Sequence, residues 1–414
     1  MKIVIVSCVA PPETVVSGRV NYDICDFLSS KGHNVTLITP FPSRPLGKFE
    51  TEIKLKQEVL QVNENFVHIK INSYRSPQYN FLGRIYESYS FGYKSIKYIN
   101  KYFKNVDLIY ATPWPFVGQF LFMLFRNNKN VPVIMNVQDL YPESFFTKYN
   151  SSVIRHLFKP FILIDKWIVS KSFHISVVSE SMKNVYIKDR GLDASKVTVI
   201  ENWQNEDEFI NCTTTLDNVY VKYNLESVRG KFIFMYLGNI GPVAGLENVI
   251  LEYSKLENSN TVMVIAGTGS SKKSCENLVC TNKIKNVLFV DIPTGLRSVV
   301  ELQSIANVLL LPIQPDASSS SIPSKLIAYM FSAKPVLSSA IIDSTTGIAI
   351  VNNKCGLLVD NKNSWSDQMS KFLKMNQNEI MQMGENSFEY GMSRYSKKNG
   401  LQKIEKLLNN IKLI

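Results

Sequence analysis

The chain has 414 residues, 45% of them hydrophobic, too many for one ordinary core and enough to build two, so two domains are expected. Its formal charge of +11 is uneven, since residues 1–203 hold 25 Lys and Arg against 16 Asp and Glu while the remainder holds 21 against 19. No helix-turn-helix, RNP or zinc-finger pattern accompanies this dispersed basicity, which disfavours nucleic acid and leaves anionic lipid head groups, phosphorylated ligands or plain surface solvation.

The chain opens on MKIVIVSCVAPPE, a short apolar run ended by Pro11 and Pro12 that reads as a first strand, too short for a signal-peptide core. A helical pattern follows through Val20, Ile24, Phe27 and Leu28, and then GHNVTLITP reads as the next strand. Strand, loop, helix, glycine, strand is the unit of a doubly wound parallel sheet, and the rhythm returns at DLIYATP, VPVIMNVQ, HISVVSES and KVTVIENW. The segment Asn205 to Arg229 is polar and reads as a linker with a lead-in helix. A second series then runs through KFIFMYLGNIG, NTVMVIAGTG, NVLFVDIP, NVLLLPIQ, KPVLSSA and CGLLVD. From Ser364 the pattern is helical, with Leu373, Ile380, Met383, Phe388, Ile404 and Leu408 on one stripe. The expected division is 1–203, 204–385 and a helical tail 386–414 packing back toward the first domain. Two Rossmann-like lobes of this kind bind ligands at the carboxyl ends of their strands, which are expected to share a cleft.

No uninterrupted apolar stretch approaches the roughly 18–20 residues that span a bilayer. Phe81 to Phe103 does interleave aromatic and aliphatic residues with Lys and Arg, and FLFMLFR at Phe120 to Arg126 is similar; such helices suit either a bilayer interface or a core. The six cysteines (Cys8, Cys25, Cys212, Cys275, Cys280, Cys355) lack CxxC spacing and fit a reducing cytoplasm. His33, His68, His156 and His174 show no ligand spacing, so no metal site is expected.

Four segments carry candidate chemistry. In APPETVVSGR, Gly18 and Arg19 stand where a helix N-terminus can meet an anion, although an ordinary loop capped by Ser17 explains them equally. YLGNIGPVAGLE places Gly238, Gly241 and Gly245, with Asn239, between a buried strand and a helix, a turn that suits a pyrophosphate. AGTG repeats the device with Gly267 and Gly269, which would let a base or ribose approach. In SSSSIPSKLIAYMF, a helix starts near Pro323 behind Ser321, and Ser324 and Lys325 fall in its first turn. A cation there opposes the helix dipole, so an anionic ligand explains Lys325 better than helix stability does. Finally, NVQDLYPES puts Gln138, Asp139 and Glu143 at the end of a strand, where a carboxylate can act as general base or hold a sugar hydroxyl, or simply cap the next helix.

Taken together, APPETVVSGR, GHNVTLIT, NVQDLYPES, VIENW, LGNIGPVAGLE, AGTG and IPSKLIAYMFSAKPVL resemble the retaining glycosyltransferase family 4 with its GT-B fold, over nearly the whole chain. NVQDLYPES with LGNIGxxxGLE and PSKL is most similar to the subgroup of fucosamine and other amino-sugar transferases of O-antigen, capsule and colanic acid assembly. The resemblance implies that Gly18 and Arg19 border the donor phosphates, that Gly238 to Gly241 and Ser321 to Lys325 hold the diphosphate, and that Asp139 lies by the acceptor. It also implies a nucleotide-diphosphate sugar as donor with no further cofactor, a polyprenyl-diphosphate-linked or other glycan acceptor, and work at the inner face of the cytoplasmic membrane. The chain departs from the family pattern in places. Ser320 and Ala328 stand where the family commonly has two Glu, Pro242 and Ala244 stand near its usual Arg and Lys, and Gln138 replaces a common His. Either Lys325 and Arg19 take over neutralisation of the diphosphate, as the subgroup implies, or activity is weakened. The rival readings are a sugar-nucleotide epimerase of the same fold, which the scarcity of His opposes, and a noncatalytic binding module, which the missing Glu pair keeps open.

Overall fold

A computed structural model describes residues 1–13, 15–44, 55–77, 81–114, 116–127, 130–143, 152–256, 258–291, 295–314 and 322–412. The chain divides into two compact units, one of residues 1–202 with 401–414 and the other of residues 203–400.

The first unit is a sheet of strands β1 (Lys2–Ser7), β2 (Asn34–Pro40), β3 (Gln57–Asn63), β4 (Phe66–Ile71), β5 (Leu108–Thr112), β6 (Val133–Val137), β7 (His174–Val177) and β8 (Val197–Val199) in the order β3-β4-β2-β1-β5-β6-β7-β8. Every neighbouring pair is parallel except β3 with β4. The hairpin β3-β4 extends the sheet beyond what the apolar runs predict, because β3 is an edge strand that leaves its apolar side chains, Val59, Leu60 and Val62, exposed. Inner strands read as continuous apolar runs because they are covered on both faces. One layer of polar side chains crosses them: Asn21 donates to Ser7, Asn136 to Thr112 and Ser176 to Asn136, with Tyr110 against Ser176. Each buried polar atom in that layer gains a partner, so the layer fixes strand register below the loops.

The second unit is a six-stranded parallel sheet, β11-β10-β9-β12-β13-β14, of β9 (Phe232–Leu237), β10 (Thr261–Ala266), β11 (Val287–Val290), β12 (Val308–Leu311), β13 (Val336–Ser338) and β14 (Gly356–Leu358). These are the six apolar runs of the second series, two separate apolar clusters packing the sheet.

Two expectations are corrected. The segment Asn205 to Arg229 holds the expected lead-in helix, Leu216–Lys222, but is no linker: with a second helix, Asp207–Ile210, it is folded into the second unit. Its polar residues are spent on anchorage, with Glu206 accepting from the amides of Lys397 and Lys398, and Lys222, Tyr223 and Thr214 all donating to the buried Glu301. The terminal apolar stripe is also not one surface. It breaks into helices Trp365–Lys374, Gln377–Tyr395 and Lys397–Lys412; Leu373 and Met383 pack in the second unit, whereas Ile404 and Leu408 line a small apolar void with Ile3, Ile24 and Tyr110 of the first.

Candidate functional site

In the second unit the glycine turns lie side by side because β9 and β10 pair in parallel register. Their ladder continues beyond the strands: the amides of Gly238 and Ile240 donate to the carbonyls of Ala266 and Thr268, and Ser271 donates back to Ile240. This close approach is why glycine is needed. A Cβ on Gly267, at φ +141°, would sit 2.0 Å from the Gly238 carbonyl oxygen, and one on Gly269, at φ +157°, 2.2 Å from that of Ile240. The two AGTG glycines therefore hold one loop against the other, a packing role in addition to any approach of a base or ribose. The Gly238 amide, expected to face a phosphate, is committed to that packing.

Lys325 projects from the first turn of the helix Ser324–Phe331 and crosses Gly238, where a Cβ would lie 2.3 Å from its Cε. Its Nζ donates to the Tyr236 hydroxyl and stands 4.4 Å from the Tyr236 ring centroid, while that hydroxyl donates to the Asn239 carbonyl. No carboxylate pairs with Lys325 among the described residues, and burial lowers its pKa to about 8. Burial likewise pushes the Tyr236 phenol up to about 12, so it stays a neutral dipole beside the ammonium. Pro323 is the N-cap and makes no side-chain cap, so among the described residues the positive end of the helix lies uncapped beside this cation. Ser324 offers its carbonyl to Gln204, Gly241 lies in extended backbone before the turn Pro242–Ala244, and Gly245, at φ +55°, caps the helix Leu246–Tyr253 against Gln314. Ser321 lies outside the described residues. The structure thus gathers Gly238, Asn239, Gly267 and Lys325 at the carboxyl edge of one sheet.

In the first unit, the helix Val16–Ser30 begins at an N-cap of Val15 with no side-chain cap, so Ser17 is not the cap. Gly18 is buried, and a Cβ there would lie 3.0 Å from the Val9 carbonyl, so its role is to let the helix pack on the β1 loop. Arg19, beside it, is exposed. Gln138 accepts from Asn202 at 2.8 Å. Asp139 stays open to solvent on one side, yet the protein around it desolvates its carboxyl enough to raise its pKa. Glu143, expected to hold a sugar hydroxyl, is engaged in an ion pair: both its oxygens accept from Arg190 Nη2, at 2.6 and 2.8 Å.

Arg190 escaped the sequence reading. It is buried, donates through Nε to the buried Asp165 at 2.8 Å, and also reaches the Tyr141 carbonyl. Burial pushes the Asp165 carboxyl up to about 6, with Arg190 pulling the other way. One guanidinium therefore clamps both ends of the loop segment Tyr141 to Glu143 that follows Asp139. Glu13 is a second such anchor; its buried carboxylate accepts from the amides of Ala10, Ser43 and Arg44 and joins the loops after β1 and β2. His68 and His174 bond Thr39 and Thr198, each lowered to about 4 by burial, so they are structural.

Two family models match in succession, "Glycosyltransferase Family 4" over residues 17–208 and "Glycosyl transferases group 1" over residues 222–390. The chain belongs to glycosyltransferase family 4. A relative from Escherichia coli (strain K12), WcaI, named for colanic acid biosynthesis glycosyl transfer, is 23% identical over 337 residues, 79% of this chain and 80% of the relative. Among solved structures, sucrose-phosphate synthase from Thermosynechococcus elongatus superposes with a TM-score of 0.73 at 16% identity, covering 99% of each chain. Anabaena HepE in complex with UDP-glucose gives a TM-score of 0.64 at 12% identity over 99% of this chain and 100% of HepE. The fold is GT-B, and this family-4 chain is a glycosyltransferase.

Proposed function

We propose that this glycosyltransferase moves a sugar from a nucleotide-diphosphate donor to a lipid-linked saccharide in O-antigen, capsule or exopolysaccharide assembly, with retention at the anomeric carbon. The motif set directs the donor reading to an amino or deoxyamino hexose such as N-acetylfucosamine. The observation that carries the donor side is Lys325, a largely desolvated ammonium with no described counter-ion, at a helix N-terminus and against the glycine turns. In the transfer, the bond from the anomeric carbon to the diphosphate breaks as the acceptor oxygen bonds that carbon, and the diphosphate leaves with its electron pair. Negative charge grows on the leaving group, where a preplaced cation and helix dipole are most effective. Arg19, exposed on the first turn of its helix, adds a second cation for the phosphates, and Asp139 serves the acceptor hydroxyl, its raised pKa suiting proton uptake.

The test incubates purified protein with UDP-, GDP- and dTDP-sugars and membrane lipid extract and follows release of nucleoside diphosphate. Lys325→Ala is expected to lower turnover by about 10²–10³. Unaltered turnover and donor affinity in that variant would refute the assignment.

A further inference from the structure

The helix Phe81–Tyr102 divides into two faces by burial. Its inner face packs so closely that a Cβ on Gly92 would lie 2.5 Å from the Gly118 Cα, and Ser88 accepts from the Gly118 amide at 2.8 Å. That contact fixes which side chains point out. In a helix on a water-facing surface the outer face should be polar. Here the first half of the outer face is apolar, with Leu82 76% exposed, Tyr86 54% and Tyr89 45%.

The rings form one continuous exposed ladder. Tyr74 meets Tyr86 edge-on at 4.6 Å, Tyr86 and Tyr89 stack at 6.1 Å, Tyr89 and Tyr93 at 6.3 Å, and Tyr93 meets Phe125 at 5.4 Å. The second half of the same helix carries Lys94, Lys97 and Lys101. Lys97 lies over the Tyr93 ring and Lys101 over that of Tyr102, so aliphatic stems and aromatic faces are interleaved. The only carboxylate of the helix, Glu87, is buried and paired with Arg44. FLFMLFR contributes only its end to this surface: Phe122 and Met123 are core, whereas Leu124 and Phe125 are exposed.

We infer that this face is a docking surface for an anionic lipid bilayer, with the tyrosine ladder and Leu82 entering the head-group boundary and Lys94, Lys97 and Lys101 meeting lipid phosphates. The inference rests on the lipid-linked acceptor proposed above and deepens it by naming the surface that brings the enzyme to that acceptor. Charge decides for a bilayer over a second copy of the chain. The excess of Lys and Arg lies in residues 1–203, and two copies meeting through this face would bring like charges together. Tyrosine with Leu beside Lys is the side-chain mixture of a bilayer interface, where rings sit at head-group level and ammonium groups snorkel to phosphates. No described helix is long and apolar enough to cross a membrane, so attachment along a helix face is the mode this helix offers.

The test is co-sedimentation of the whole chain with vesicles of phosphatidylcholine alone and of phosphatidylcholine mixed equally with phosphatidylglycerol. Wild type is expected to sediment with the anionic vesicles only. The charge-reversed variant Lys94→Glu/Lys97→Glu/Lys101→Glu is expected to lose about a hundredfold in apparent affinity or more. Leu82→Ser/Tyr86→Ser/Tyr89→Ser is expected to lose at least about tenfold. Tyr89→Trp supplies a reading that does not depend on a disruptive variant, with emission moving to the blue on adding anionic vesicles. Binding of UDP-, GDP- and dTDP-sugars without lipid should match wild type in all variants, which separates failure of the surface from failure of the transferase reading. Absence of wild-type sedimentation, equal sedimentation of wild type and variants, or a ladder variant that only converts a dimer to a monomer overturns the inference.

Discussion

Replacing Arg190 by Met removes the cation between Asp165 and Glu143 while keeping most of the side-chain volume. Breaking a buried ion pair from one side costs about 3–5 kcal/mol. The charge part of that cost has a ceiling, because Asp165 can take a proton instead. Its folded-state pKa of about 6 lies above the ordinary 3.8, so its contribution to stability is fully present below about pH 4 and is lost as pH rises through about 6. Relative to wild type, protonating the stranded carboxyl costs more with each pH unit above that folded value, about 3 kcal/mol at pH 8. At pH 5 wild-type Asp165 is already largely protonated, so its part of the charge term nearly vanishes and the partly exposed Glu143 pair, about 0–1 kcal/mol, is what remains of it. The hydrogen bond to the Tyr141 carbonyl is lost at either pH, adding about 1 kcal/mol. Arg190→Met is therefore expected to cost about 4–5 kcal/mol at pH 8 and about 1–2 kcal/mol at pH 5. Urea unfolding at both pH values, read by pulsed hydrogen exchange in β7 and the helix Ser152–Lys171, measures the first unit by itself. Adding Asp165→Asn should recover most of the pH 8 loss. An equal loss at both pH values, or no recovery in the double variant, would remove the stranded charge as the cause.

Three further outcomes follow from the geometry. Gly267→Ala places a Cβ 2.0 Å from the Gly238 carbonyl oxygen in a backbone region closed to alanine, so the second unit should lose about 1–3 kcal/mol, and any thermal shift that UDP, GDP or dTDP gives with wild type should vanish. If the ammonium of Lys325 serves the leaving diphosphate, kcat/KM should fall as pH rises through about 8, and Lys325→Arg should move that fall upward; a flat profile from pH 7 to 9.5 contradicts it. Gly92→Leu, forced against the Gly118 backbone, should lower the melting temperature of the first unit without changing nucleotide-sugar affinity, measured by calorimetry on the same preparation.

What the sequence made legible follows from what each residue had to bury. Strands such as Phe232–Leu237 and Thr261–Ala266 are covered on both faces, so their apolar runs mark them and the two lobes with them. The edge strand Gln57–Asn63 buries little, and its residues carry no comparable signature. The polar segment after Trp203 misled for a related reason: Glu206 and Thr214 look like linker residues until the amides of Lys397 and Lys398 and the carboxylate of Glu301 are seen to be their partners.

The same logic divides the site. Glycines announce that space is needed without saying for what, and at Gly267, Gly269 and Gly18 the space is filled by the protein's own backbone. Carboxylates announce a charge without naming its partner. Glu143 is spoken for by an arginine 47 residues away, whereas Asp139, four residues earlier, is not in that ion pair. Lys325 was visible because a cation in the first turn of a helix defies the dipole, a local rule whose violation asks for a cause. Its partner was invisible for the opposite reason. Tyr236 obeys the rule for a buried strand, so nothing local marked the phenol that holds the ammonium over Gly238. Sequence therefore located the residue under tension, and only the fold supplied the dipole that holds it over Gly238.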